Sequence, residues 1–206
     1  LTLSAANSYT GQTTISAGTL KLGNASALGS TTGGTSITSG AVLDLNGINY
    51  TNAEALTING AGISSGGAVI NSSATGATYA GLVTLGSASS IVGGTGSITL
   101  SHSGTITGTY ALTLGGAIGG TITSIIGTST GTLTKADAGT WTLNGVNTYS
   151  GNTTISAGIL AIGGSGSLGS GSYSGTLAVS PGASFQFSSS ANQTFGSGST
   201  GVLAAD

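Results

Sequence analysis

The sequence predicts an all-β fold: a parallel β-solenoid, or β-helix, of many short strands with Gly/Ser/Asn-rich turns and essentially no helix. Three observations predict it. Short apolar/polar alternations recur along the whole chain, each bounded by Gly, Asn or Ser, as short strands with tight turns are. A long segment recurs at an offset of 140 residues with its Asn, Tyr and Leu in step, as stacked coils require. Glycine supplies 40 of 206 residues and Pro181 is the one proline, so the chain is rich in positions that accept sharp corners.

The strand elements follow in order. Thr19-Leu20-Lys21-Leu22 sends both leucines to one face. Val42 breaks the alternation, and Leu43-Asp44-Leu45 resumes it. The same pattern returns at Ala55–Ile58, Ser97–Leu100, Ala111–Leu114, Thr140–Leu143 and Ser184–Phe187. Thr, Val and Ile suit a half-buried pleated surface. No segment keeps a 3.6-residue period. Sandwiches and barrels also use many short strands. The shortness of these runs, the glycine corners and the long repeat favour stacked coils. A coil of roughly 20–25 residues gives about nine coils and an object roughly 40–50 Å long at about 4.8 Å per coil.

The repeat is specific. Leu3–Gly23 and Leu143–Gly163 are identical at 12 of 21 positions, including Thr-Thr-Ile-Ser-Ala-Gly at Thr13–Gly18 and Thr153–Gly158. The match continues at Leu28-Gly29-Ser30 against Leu168-Gly169-Ser170. After a two-residue insertion it resumes at Gly40–Leu45 against Gly182–Phe187. The chain therefore reads as a single solenoid over 1–206, with internal repeats at 1–47 and 132–189 and connecting coils over 48–131. Asn7, Tyr9, Gly11 and Gly18, with Asn147, Tyr149, Gly151 and Gly158, read as structural turn residues. The reading is of a turn whose Asn tolerates left-handed backbone, with Tyr packing beside it.

Composition excludes several classes. Lys, Arg, Asp and Glu make up 3 % of the chain, against about 25 % in an ordinary domain. Two Lys and no Arg cannot neutralise a run of phosphates, so no nucleic-acid partner is expected. The 46 large apolar residues (Leu, Ile, Val, Phe and Trp) are spread in short runs, which separates the chain from flexible Gly/Ser linkers. With no cysteine, thiolate chemistry is out of reach. No apolar run is long enough for a membrane helix, aromatic girdles are lacking, and no leader is visible at Leu1. No membrane insertion by this chain is expected.

Chemical motifs reduce to turns. Gly62–Gly66 and Gly127–Gly131 match GxSxG, but about one match is expected by chance at this composition and no helix follows. The GxGxxG stretches at Gly164/Gly166/Gly169 and Gly196/Gly198/Gly201 open no helix and have no acid at the dinucleotide spacing. His102, the lone histidine, reads as a turn residue between two serines rather than the base of a triad with Asp44 or Asp137. Asp44, Glu54, Asp137 and Asp206 are isolated in sequence, and no calcium-binding nonapeptide occurs. Five glycosylation-type sequons, at Asn24, Asn49, Asn71, Asn152 and Asn192, are near the number composition alone yields. Seven Thr-x-Thr pairs lie between Thr105 and Thr142. They keep no constant coil spacing, so they read as outward strand residues rather than an ice-ordering array. No catalytic, metal or cofactor site is expected.

The string Asn147-Thr148-Tyr149-Ser150-Gly151-Asn152-Thr153-Thr154-Ile155-Ser156-Ala157-Gly158, preceded by Leu133-Thr134-Lys135 and Gly139-Thr140-Trp141-Thr142-Leu143, resembles the passenger-associated β-strand repeat of bacterial autotransporters. That family's pattern runs approximately LTKxGxGTLTLSGxNTYxGxTTIxxGTLxLG. Ala136-Asp137 and Trp141 depart from it, and the first copy lacks the LTK portion. The resemblance covers two stretches and implies export, a β-helical passenger and an extracellular or cell-surface location.

The expected function is a non-enzymatic, structural extracellular solenoid. It either self-associates end to end into a fibre, filament or matrix, or extends an autotransporter-type passenger. Leu1-Thr2-Leu3 and Val202-Leu203 carry no polar cap, and few charges guard the edges, so a homopolymer through open ends is the expected partner. The alternative is an adhesin that binds glycans or surfaces through Ser/Thr/Asn-rich faces.

Overall fold

The computed structural model describes residues 1–199 together with the strand Leu203–Ala204. Gly201 of the second GxGxxG stretch, Val202 and Asp206 lie outside the described residues. The chain winds into a parallel β-solenoid of about nine turns. Among the described residues its strands run from two to ten residues, and three-residue 3-10 turns occur at Ile63–Ser65 and Gly169–Gly171. Among the described residues every strand pairing is parallel, coil upon coil.

Three faces organise the coils. The first stacks Thr13–Ile15, Thr35–Ile37, Leu56–Gly60 and the start of Val83–Val92. The second runs through Thr19–Leu22, Val42–Asp44, Val69–Ile70, the end of Val83–Val92, Leu112–Gly115, Leu133–Lys135, Thr153–Ile155 and Leu177–Val179. The third stacks Asn49–Tyr50, Ala77–Tyr79, Ile98–Leu100, Gly119–Ile122, Thr140–Leu143, Ile159–Ile162, Ser184–Phe187 and Leu203–Ala204.

Alternation sends one set of side chains inward, where they form continuous columns. One column on the second face reads Leu20, Leu43, Val69, Ile91, Leu114, Lys135, Ile155, Val179. Seven steps separate Leu20 from Val179, so a coil uses about 23 residues, within the expected range. The third face carries Ala77, Ile98, Gly120, Trp141, Leu160 and Phe185. Gly120 makes room for its indole neighbour: a Cβ there would lie 2.0 Å from the Ile98 carbonyl oxygen and 3.0 Å from the Trp141 ring.

The two repeat copies do not sit on the same faces. Ile15 belongs to the first-face column Ile15–Ile37–Ile58, whereas Ile155 belongs to the second-face column that starts at Leu20. The 140-residue offset thus spans six coils and one further face. Local geometry survives the rotation. Gly18 and Gly158 both take left-handed backbone (φ 69° and 66°), as do Gly40 and Gly182 (83° and 81°).

Candidate functional site

The repeat corner is braced by asparagine side-chain amides as well as by the asparagine backbone, whose N–H groups at Asn7 and Asn147 donate to the carbonyls of Ser26 and Ser167. Neither Asn7 nor Asn147 has a positive φ, so the turn makes no use of asparagine's tolerance of left-handed backbone. Of the motif glycines, Gly18 and Gly158 are left-handed, where no Cβ opposes them, and Gly11 and Gly151 are not. Asn147 is fully buried and bridges three coils. Its Oδ1 accepts from the Ile126 N–H at 2.9 Å, and its Nδ2 donates to the carbonyls of Gly145 (2.8 Å) and Ser167 (2.9 Å). Asn7 donates to the carbonyls of Ala27 at 2.7 Å and Ala5 at 3.3 Å. An amide carries donors and an acceptor together, so it can satisfy both kinds of backbone group at a turn.

Two residues on, Tyr149 is buried and its hydroxyl shares a hydrogen with Thr153 Oγ1 at 2.8 Å. Thr153 Oγ1 in turn meets the Tyr173 hydroxyl at 2.8 Å, and Tyr173 donates to the Gly151 carbonyl. The Tyr149 and Tyr173 rings pack edge-on, and Phe195 continues the ladder. Tyr9 makes the same bond to Thr13 at 2.7 Å but remains 39 % exposed. Gly151 is pressed against the carbonyls of Gly131 and Thr130, while Gly11 has open space where a Cβ would stand. One motif thus serves in two settings, one embedded and one at the edge of the described coils.

Lys135 interrupts an apolar column and is fully buried. Its Nζ donates to the carbonyls of Ala136 (2.5 Å), Asp137 (2.8 Å) and Ala157 (3.0 Å), tying two successive corners together. Burial lowers the ammonium pKa, and the nearby Asp137 charge opposes that. Trp141 closes the same region, donating from Nε1 to the Gly115 carbonyl at 2.9 Å.

The acids are isolated in sequence but engaged in space. Asp44 lies 3.7 Å from Lys21 Nζ and accepts from Ser72 Oγ (2.6 Å) and the Asn46 N–H (2.9 Å). Glu54 is fully buried, accepting from Thr35 Oγ1 and the Tyr50 hydroxyl, both at 2.5 Å. Tyr79 stacks on Tyr50 at 5.4 Å and donates to the Glu54 carbonyl. Burial first, then the Glu54 carboxylate, pushes both phenols up. Nothing local in sequence announces these partners. The one signal is spacing, since Lys21 and Asp44 are about one coil apart.

A carboxylate pair is not formed by Asp44 and Asp137. Asp44, Ile70, Val92 and Gly115 share a column, and Asp137 lies one coil further, accepting from the Gly116 N–H at 2.7 Å. Four coil steps are roughly 19 Å, beyond the roughly 5–9.5 Å that glycoside hydrolysis needs. His102 uses Nδ1 to accept from the Gly104 N–H at 2.8 Å, so a turn and not a carboxylate orients its ring. Ser64 and Ser129 of the GxSxG stretches stand in left-handed turns. Among the described residues no three His, Cys, Asp or Glu side chains converge as metal ligands.

The outward residues form hydroxyl columns. Thr78, Thr99, Thr121 and Thr142 share one column on the third face. Thr113, Thr134 and Thr154 share one on the second. On the first, Thr14, Ser36, Thr57, Thr84 and Thr107 are aligned, with Thr84 and Thr107 hydroxyls 3.2 Å apart. Single threonines therefore recur coil by coil even though the Thr-x-Thr pairs do not.

The family model described as the passenger-associated-transport-repeat matches residues 1–22 and 133–162. Together with the β-solenoid, this match fits an autotransporter passenger repeat protein, and such a passenger repeat implies a secreted or cell-surface location. No curated protein and no solved structure matches the chain.

Proposed function

We propose that the chain is a structural segment of an extracellular, autotransporter-type passenger, and that its work is to extend a rigid stalk. The observation that carries the reading is the uninterrupted parallel stacking around one apolar interior, with polar side chains spent on holding corners. Each coil contacts its neighbours, so length is added by adding coils. The finer reading is that segments associate end to end into a fibre or matrix. Its support is the near lack of charge, six charged residues in 206, because charged side chains are the usual guard against edge pairing.

Electron microscopy of the purified chain across a concentration series tests both levels. Uniform filaments with an axial repeat near 4.8 Å are expected if segments associate. Separate short rods at every concentration overturn end-to-end association and leave the stalk reading. Collapsed or irregular particles overturn both. A second reading, glycan adhesion, draws on the aligned hydroxyl columns. A glycan array separates it, since a scaffold gives no selective binding.

A further inference from the structure

We propose that Asn144 is a self-modifying site, which converts by attack of the Gly145 backbone nitrogen on its own side chain. The chain contains three Asn-Gly steps, at Asn46, Asn59 and Asn144. A glycine after asparagine leaves its nitrogen unhindered by a Cβ. In the reaction the glycine nitrogen bonds to the asparagine Cγ. The Cγ–Nδ2 bond breaks, and ammonia leaves with the proton from the glycine N–H. Water then opens the succinimide at either carbonyl, giving aspartate or isoaspartate. The balance is one asparagine and one water in, one acid and one ammonia out. Both reacting groups must first be free of other bonds.

The structure ties down two of the three steps. Asn46 Nδ2 donates to the Leu22 carbonyl at 2.8 Å, and the Gly47 N–H donates to Asn71 Oδ1 at 2.9 Å. Asn59 Nδ2 donates to the Ile37 carbonyl at 2.9 Å, and the Gly60 N–H donates to Ser87 Oγ at 3.0 Å. At the third step, among the described residues, neither the Asn144 carboxamide nor the Gly145 N–H forms such a bond. The flanking groups are engaged instead: the Asn144 N–H bonds the Ile122 carbonyl, and the Gly145 carbonyl accepts from Asn147 Nδ2. Asn144 is half-buried, so water reaches it. Over its carboxamide lie Gly163 and Gly164 of the next coil, whose missing side chains leave the ring room: a Cβ on Gly163 would come within 2.9 Å of Oδ1. Conversion places a new carboxylate just after Thr142, at the end of the third-face hydroxyl column. It adds one negative charge to a chain whose formal charge is −2.

The test is peptide mapping of the native chain aged in mildly alkaline buffer, with a urea-unfolded sample as reference. All three steps react alike in the unfolded chain. In the native chain Asn144 is expected to convert first, with Asn46 and Asn59 slower by roughly tenfold, since each must first break its hydrogen bonds. Ser87→Ala frees the Gly60 N–H and is expected to speed Asn59 while leaving Asn144 unchanged. Native Asn144 remaining intact while the unfolded reference converts overturns the proposal. So does conversion of Asn46 or Asn59 as fast as Asn144.

Discussion

Asn7 and Asn147 occupy the same place in the same motif, yet removing their amides should have unequal effects. In Asn147→Ala the Ile126 N–H loses its acceptor inside the protein, which costs about 1–3 kcal/mol. The carbonyls of Gly145 and Ser167 each lose one bond but keep another, from the N–H groups of Ser167 and Asn147 respectively. Those two losses are therefore ordinary ones of about 0.5–1.5 kcal/mol each. The whole is about 2–6 kcal/mol. Asn7→Ala removes one good bond and one long one at a half-exposed position where water substitutes, so about 0.5–1.5 kcal/mol is expected. For a chain of this size the buried variant should melt roughly 4–24 °C lower. Thermal unfolding reads the difference. Hydrogen exchange at the Ile126 amide reads it locally, which matters in a fold that can open coil by coil. Equal destabilisation by the two substitutions, or an unchanged Ile126 exchange rate, would refute the argument that burial sets the magnitude.

Three further outcomes follow from the interior. Burial pushes Tyr50, Tyr79, Tyr149 and Tyr173 up. Their contribution is complete below the unfolded phenol pKa of about 10 and is lost as pH rises beyond it; tyrosinate absorbance of these four should appear only together with loss of β structure. Lys135 has the opposite sign: its lowered pKa makes stability rise with pH up to the ordinary lysine value of about 10.4, and Lys135→Met should flatten that rise in urea titrations. Gly18→Ala meets open space and should lose only about 1 kcal/mol of backbone strain. Gly158→Ala adds a Cβ 2.5 Å from the carbonyl oxygens of Asp137 and Gly139 and should lose measurably more; equal melting temperatures for the two would contradict it.

Strand positions were readable in the sequence because a period of two needs no partner to be seen. Thr19–Leu22 and Thr140–Leu143 are strands at the residues where alternation placed them. The coil length has no such local signal: roughly 20–25 residues is a premise of the stacked-coil reading, and the structure gives about 23. What alternation cannot supply is which coil lies above which, because that depends on the number of residues in every intervening corner. The eight residues from Ala61 to Ala68 between two faces show the problem: the coil step that contains them, Leu43 to Val69, spans 26 positions, whereas Lys135 to Ile155 spans 20. Cross-coil partners were therefore invisible. Lys135 reads as an inward position by alternation and as a surface residue by chemistry. Only its three carbonyl acceptors, one of them from the next coil, resolve that conflict. Glu54 is the same case, an acid whose donors lie 19 residues before it and four before it.

The rotation of the repeat bears on what the motif is for. Had the two copies been spaced by a whole number of coils, their outward residues would lie on one face, as a recognition surface shared by both copies would need. Instead Thr14 lies in the first-face column and Thr154 in the second-face column. What the copies keep is internal: a glycine corner at Gly18 and Gly158, an amide bracing the turn at Asn7 and Asn147, and a tyrosine hydroxyl on the threonine four residues on. Each of these acts within one coil or between adjacent coils, and none depends on which face it occupies. A sequence unit that preserves the corner and ignores the face is suited to building the rod. That is the reason the stalk reading stands ahead of adhesion, whose ligand would meet the two copies on different sides of the solenoid.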